Sequence, residues 1–520
     1  MILNIKRVEN LYIVVVGKLF RYAKIINITI TSILVLFICF VLFLTIINAD
    51  ASDNDITLRG FRFLIYAGVV VTAGILFISV INRVQLHYLF LVVAMGIGLV
   101  YMFTMTPFSI PDEAIHFHRS LNISAVVAGA RESDFDFSGT ALHFNVPYSY
   151  IRLMTEGIRT IASDSIVPNP VFDGYVYYPI QYFPQAIGVS IARLFQLNFL
   201  GIFYLGRFFN LLFYVLCVFF AIRSVNDFKL PIFIVGILPM ALHQAASFSN
   251  DAFINGVSIL FIAYLIRCIY EKDEWDFKDI AVLAAAGILL APVKVVYFLI
   301  TLILFFAAPF KFGFKNAKGY VMAGVICTLG LIMLILFNFA SLSYAIAPNL
   351  DAERWHGGTN YTLSFVFEYP IQAVMLFVNT FREFGSVYFF GTFGLYLSGQ
   401  TITVRFLYIA VFVLLFGASV FHGKKDGWIP TIPQKGLYFA VFCAVVLMTL
   451  LGMMQAWTPD TSSVIHGVQG RYFVPLLPLA LLILRTKLKI DRSIFSYAII
   501  GAAFFLHFMI IRHVLYYTIS

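Results

Sequence analysis

Apolar runs of about 17–25 residues recur along the whole sequence, and that is the length an α-helix needs to cross the hydrocarbon core of a bilayer. They fall at roughly 26–48, 62–82, 86–105, 199–222, 230–246, 251–269, 279–292, 294–309, 319–342, 402–421, 436–455, 472–485 and 494–515. Charged residues make up only 12% of the chain, against about 25% in a soluble domain, so no water-facing shell can be built. With 61% hydrophobic residues and a mean hydropathy of +0.91, the sequence predicts an all-α polytopic membrane protein with about 13 transmembrane helices. The alternating ten-residue strands of a membrane barrel are missing. A basic segment at 1–25 (Lys6, Arg7, Lys18, Arg21, Lys24) precedes one transmembrane domain at 26–520. The apolar stretch after it is too long for a signal peptide and has no clear small-residue cleavage site, which predicts a retained first helix.

Loop charges predict the orientation. With the N-terminus in the cytoplasm, the short cytoplasmic connections carry Arg83; Arg223 and Lys229; Arg267, Lys272 and Lys278; Lys311, Lys315 and Lys318; Lys424, Lys425 and Lys435; and Arg485, Lys487, Lys489 and Arg492. Acidic residues gather on the other side, as the positive-inside rule requires. The formal net charge of +9 therefore reflects loop placement and does not suggest nucleic acid. The expected location is a bacterial inner membrane. Two long connections, about 106–198 and 343–401, fall on the outer, periplasmic side. Both hold amphipathic stretches, at 179–196 and 364–384, that predict interfacial helices along the outer leaflet. The five cysteines (Cys39, Cys217, Cys268, Cys327, Cys443) lie in or beside apolar runs with no CxxC spacing, so neither a disulfide framework nor a zinc site is indicated.

Against this background the stretch TPFSIPDEAIHFHRS, Thr106 to Ser120, is expensive. It places Asp112, Glu113, His116, His118 and Arg119 at a membrane boundary. Asp112 and Glu113 read either as the start of a helix or as catalytic carboxylates. His116 lies one turn from Asp112 on the same helix face, and Arg119 suits an anionic group. Asp, His and Glu together admit a divalent metal, but His116 and His118 diverge by about 200° around a helix and would not ligate together. Other costly residues sit at the same level: Arg207, His243, Asn250 and Asp251, Lys294 after a Pro292 break, and Gln469 with Arg471 in GVQGRYFVP. Asp251 reads as a helix cap or a substrate contact, Lys294 as a water-cavity or phosphate-binding lysine, and Arg471 as a snorkelling or phosphate-binding arginine. Charge gathered at one face fits an enzyme acting on a lipid-linked substrate better than a transporter, which lines a path at mid-membrane.

Four motifs in order, PDExxHFxR, YYPIQYFPQAIG, SFSNDAF and GVQGRYFVPLLP, carry a resemblance. Together they are similar to a bacterial family of predicted multi-pass membrane proteins of unassigned function within the GT-C glycosyltransferase superfamily. The resemblance covers about residues 60 to 490. It implies a GT-C-like fold, a sugar donor carried on polyprenyl phosphate, and inverting transfer on the outer face. Asp112 would be the general base, with Glu113 beside it. Arg471 would hold the donor phosphate, assisted by Lys294 or Arg119. His116, Tyr178, Asp251 and Gln469 complete the substrate contacts, and the faces of Tyr148, Tyr178, Tyr182, Trp355 and Trp457 are available for sugar stacking. This chain departs from the pattern by placing the acidic motif after the third helix rather than the first, still on the outer side.

The implied reaction is transfer of one hexose to a surface polysaccharide or its lipid-linked precursor, such as O-antigen. Two rivals stay open: a transporter or flippase of lipid-linked oligosaccharides, and a polymerase or ligase that moves a whole glycan.

Overall fold

The computed structural model describes residues 54–127, 179–197, 199–273, 275, 277–304, 317–346, 359–394, 396–397, 402–403, 408–420, 427–486, 488 and 492–519. The basic segment at 1–25, the first expected span at 26–48, and Tyr148, Tyr178 and Trp355 lie outside them.

The described residues form sixteen α-helices. They are α1 (Asn54–Ile81), α2 (Leu86–Thr104), α3 (Glu113–Val127), α4 (Phe183–Leu194), α5 (Phe199–Ser224), α6 (Lys229–Gly236), α7 (Pro239–Ala245), α8 (Asp251–Ile266), α9 (Phe277–Leu290), α10 (Ala317–Ile346), α11 (Leu363–Glu368), α12 (Pro370–Phe393), α13 (Tyr408–Val420), α14 (Ile432–Trp457), α15 (Leu477–Leu484) and α16 (Arg492–Ile519). Among the described residues, six helical stretches are long and apolar enough to cross a membrane: Arg59–Val80, Leu86–Thr104, Leu200–Ser224, Asp251–Glu271, Ile432–Trp457 and Phe495–Tyr516. The described structure is that of an all-α membrane protein, apart from one two-residue hairpin that pairs Tyr396–Leu397 with Ile402–Thr403.

Several of the expected spans are broken. The run at 230–246 is two short helices, because Pro239 at the start of α7 has no N–H to continue α6. The run at 472–485 begins as a 3-10 segment, Gly470–Leu476, with Pro475 inside it, before α15. In the pair at 279–292 and 294–309, the described residues form α9, a turn through Pro292, a 3-10 turn at Val295–Tyr297 and helical residues at 298–304. Residues flanking each break are buried.

The centre of the bundle is α5 and α8, with α2, α4 and α9 packed around them. α8 is buried along almost its whole length. The expected interfacial helix at 179–196 is α4, and it is only half free. Gln185, Ala186, Gly188, Val189 and Ala192 are buried, with Gly188 so close to the Leu205 carbonyl on α5 that no side chain would fit. Phe183, Ile187 and Leu194 remain exposed on the other face. α12, the helix of the second long connection, likewise buries Ala373, Leu376, Thr380 and Tyr388 and exposes Ile371, Val374, Met375 and Val378.

At the end of the bundle where α5 and α8 terminate, a polar clamp joins four segments. Glu271 accepts hydrogen bonds from the backbone N–H groups of Asn226 (2.7 Å) and Asp227 (3.0 Å) and from the Trp428 indole (3.2 Å). Arg485, almost fully buried, pairs with Asp227, donates to the Trp428 carbonyl at 2.9 Å and lies 4.1 Å from the Trp428 ring centroid. These bonds tie segments more than 150 residues apart in sequence to one frame.

Gly470 fixes the 3-10 segment against α12. Thr392 donates to its carbonyl at 3.0 Å, and a Cβ at Gly470 would overlap the backbone of Gly391 and Thr392. Gly470→Ala is expected to lower stability by about 1–3 kcal/mol, the usual cost of overpacking. Gly501→Ala, on an exposed stretch of α16 with open space around it, is expected to be neutral or stabilising. Thermal unfolding of the two variants in detergent checks this contrast.

Candidate functional site

Two adjacent carboxylates, Asp112 and Glu113, open α3 and point to different places. The backbone explains the split. Asp112 has a left-handed conformation, φ +62°, which aspartate tolerates better than most side chains. Its carbonyl accepts the first helical bond, from the His116 N–H at 3.0 Å, so the helix starts where the sequence predicts. Its carboxylate, however, turns away from the helix.

Glu113 is buried and fully engaged. Arg207 on α5 donates to both of its oxygens, from Nε at 2.8 Å and Nη2 at 2.7 Å, and both side chains are 0% exposed. The Phe248 N–H adds a third bond at 2.9 Å. Arg207 also donates to the carbonyls of Met102 (2.9 Å), Met105 (2.8 Å) and Thr106 (3.1 Å). The pair thus pins the end of α2, the 106–112 loop, α5 and the loop before α8 to one point. Both Glu113 oxygens are thus occupied by donors and shielded from solvent, which sets Glu113 apart from Asp112, the other carboxylate the sequence offers for catalysis.

Asp112 differs in each respect. Its side chain is 47% exposed, and Arg471 Nη2 pairs with its Oδ2 at 2.5 Å. Burial works to raise the Asp112 carboxyl, but the Arg471 guanidinium overrides it and holds the group below the usual carboxylate range. Arg471 is 4% exposed and serves two acids, with its Nε 3.3 Å from Asp251 Oδ2. Its Nη1 also approaches the Pro111 carbonyl and Gln244 Oε1, each at 3.4 Å. Asp251, 3% exposed, is shared in turn with Lys294 Nζ at 3.4 Å. Lys294 lies 4.3 Å from the Tyr472 ring centroid and Arg471 5.4 Å from it, so one aromatic ring spaces the two cations. Tyr297, three residues after Lys294, donates to the Tyr472 carbonyl at 2.8 Å and ties this turn to the arginine's segment.

The sequence admits Asp251 as a cap or as a contact, and the structure separates the two roles. Ser249 Oγ accepts the first helical N–H, at 3.2 Å, and the Asp251 carboxylate is left for Lys294 and Arg471. Asn250 turns to Gln181 Oε1 at 3.1 Å. Gln185 binds the Ser249 carbonyl at 3.0 Å and accepts from Ser120 at 2.6 Å. The four sequence motifs therefore meet through their polar side chains. Gln181 and Gln185 in particular are buried amides that carry the YPIQYFPQ segment onto SFSND.

His116 is buried and shares a hydrogen bond of 3.0 Å with the Tyr182 hydroxyl, to which Arg119 also donates at 3.1 Å. Burial pushes the His116 imidazole down to about 3, so it is neutral at physiological pH. Tyr182 is 1% exposed and offers no face for stacking a sugar. Trp457, 39% exposed, packs against Gly467. Beside Arg471 a pocket opens between Pro111, His243, Gln244, Gly391, Tyr396 and Gln469. Sequence reasoning does not single out Gln244 or Tyr396. Gln244 carries a signal, an amide inside an apolar run, whereas nothing local marks Tyr396. Among the described residues no group of three or more His, Cys, Asp or Glu could hold a metal ion.

A family model described as "Predicted membrane protein (DUF2142)" matches residues 155–480, more than half of the chain. The chain belongs to this family. Asp251, Lys294, Gln469 and Arg471 lie within the matched stretch, and Asp112, Glu113, His116 and Arg119 precede it. No curated protein and no solved structure matches the chain.

Removing one member of the buried Glu113–Arg207 pair strands the other charge in the core. Arg207→Met is expected to cost about 3–5 kcal/mol, and adding Glu113→Leu to that variant should recover part of the loss. Thermal unfolding of the single and double variants in detergent reads both effects.

Proposed function

We propose that this family member is a GT-C-type glycosyltransferase of the bacterial inner membrane. It spans the bilayer about 13 times, keeps its N-terminus in the cytoplasm and holds its active site at the periplasmic face. It transfers one hexose from a polyprenyl-phosphate donor to a surface polysaccharide such as O-antigen, with inversion. The observation that carries this reading is the half-exposed Asp112 carboxylate paired with Arg471, which lines a pocket and is linked through Asp251 to a second cation, Lys294.

That arrangement suits glycosyl transfer from a lipid phosphate. Asp112 takes the proton from an acceptor hydroxyl as its oxygen bonds to the anomeric carbon. The bond from that carbon to the phosphate oxygen breaks, and its electron pair leaves on the phosphate. Arg471 and Lys294 oppose the charge that develops there. A single carboxylate is enough for inversion, because no covalent sugar–enzyme intermediate forms. Glu113 serves as an anchor in this scheme, and His116 and Arg119 hold Tyr182 against α3.

The described charged pairs gather at the two ends of α5 and α8, around Arg471 at one and Arg485 at the other. This favours a site at one face over a transport path between faces. Acceptor analysis separates single-sugar transfer from the polymerase or ligase reading: addition of whole repeat units would remove the present assignment.

Asp112→Asn should leave the protein folded, since asparagine is at home in the left-handed region. It should reduce transfer from a polyprenyl-phosphate sugar by roughly 10²–10⁴-fold, the contribution of a positioned base. A variant that transfers sugar at the wild-type rate in purified membranes would sink the assignment.

A further inference from the structure

In the resting site the group assigned as base is already occupied. Asp112 and Asp251 supply two negative charges, and Arg471 and Lys294 two positive ones, so an incoming phosphate finds no uncompensated cation between them. To reach Arg471 Nη2 it has to displace a carboxylate. Solvation decides which one. Asp251 is 3% exposed and paired with both cations, so breaking its pairs would strand a charge in the protein interior at high cost. Asp112 is half exposed, so solvent can take over its carboxylate once its partner is gone. Arg471 itself has reason to stay where it is, because Asp251, the Pro111 carbonyl and Gln244 hold its other nitrogens.

We propose that the Arg471–Asp112 pair is a latch opened by the phosphate of the donor, which replaces Asp112 on Arg471 and so releases the carboxylate to act as base. This rests on the function proposed above. Its chemical consequence is an order of events. While the latch is closed, Arg471 stabilises the negative charge on Asp112 and makes it a poor proton acceptor. When a phosphodiester takes over the Nη2 position, Asp112 loses that stabilisation, and its basicity rises at the moment a sugar is present to be transferred. The proton from the acceptor hydroxyl then ends on Asp112, while the electron pair of the broken bond ends on the phosphate that opened the latch. His116, one turn along α3, is neutral and does not substitute for the lost cation. Arg119 is directed at Tyr182. Asp251 stays with Arg471 and Lys294.

A latch of this kind makes a prediction opposite to that of an ordinary binding residue: removing Asp112 should strengthen donor binding. Farnesyl phosphate binding to the detergent-solubilised full chain, measured by calorimetry, is the test. Asp112→Asn and Asp112→Gly both fit the left-handed backbone at this position. Each should bind roughly three- to tenfold more tightly than wild type, the scale of a partly solvated ion pair, while losing transfer. Equal or weaker binding in both folded variants overturns the latch and leaves the donor assignment standing. Absence of binding in the wild type and both variants removes the donor assignment and the latch together.

Discussion

The Arg207–Glu113 pair is the interaction on which the rest of the site depends. A guanidinium and a carboxylate, both withdrawn from water, are stable only where their hydrogen bonds are satisfied, and here five segments supply the partners. The end of α2, the loop after it, the start of α3, the N-terminal part of α5 and the approach to α8 are drawn to a single centre. With those segments fixed, Asp112 has little freedom beyond its own torsions, and its left-handed backbone sets its carboxylate against Arg471. The buried pair is therefore the foundation, and the exposed pair beside it carries the chemistry.

Two carboxylate–arginine contacts one residue apart illustrate how surroundings divide roles. In one the oxygens are saturated and dry. In the other a half-exposed carboxylate faces a buried arginine that also pairs with a second acid, Asp251. The first resists change because breaking it leaves a charge in the protein interior. The second can exchange its partner because solvent receives the released group. The Arg485 clamp at the other end of α5 and α8 resembles the first kind, with an indole ring and a carbonyl completing the guanidinium's surroundings. Its place at the end opposite Arg471 leaves the bundle anchored at both ends.

Much of this organisation is legible in the sequence. Low charge and repeated apolar runs specify the membrane class. The four polar motifs stand out because polar groups are costly beside a bilayer, and they converge as side chains in contact. The breaks at Pro239, Pro292 and Pro475 are less readable as structure. Hydropathy registers those segments as spans, whereas the proline ring cuts each into shorter pieces. The two amphipathic stretches are recognisable as helices, but periodicity alone does not show that Gly188 and Gly391 bring theirs into backbone contact with neighbours.

By itself the sequence determined that this protein is helical, polytopic and polar in four short segments, because chain length, charge and apolar period are local properties. Only the tertiary structure decided which carboxylate of Asp112 and Glu113 is buried and which is open. Their deciding partners, Arg471 and Arg207, lie 359 and 94 residues away, and one residue of backbone in the left-handed region directs neighbouring side chains to opposite environments. Solvent exposure and pairing are properties of the assembled bundle, so the chemical difference between two adjacent acids exists only once the helices have packed.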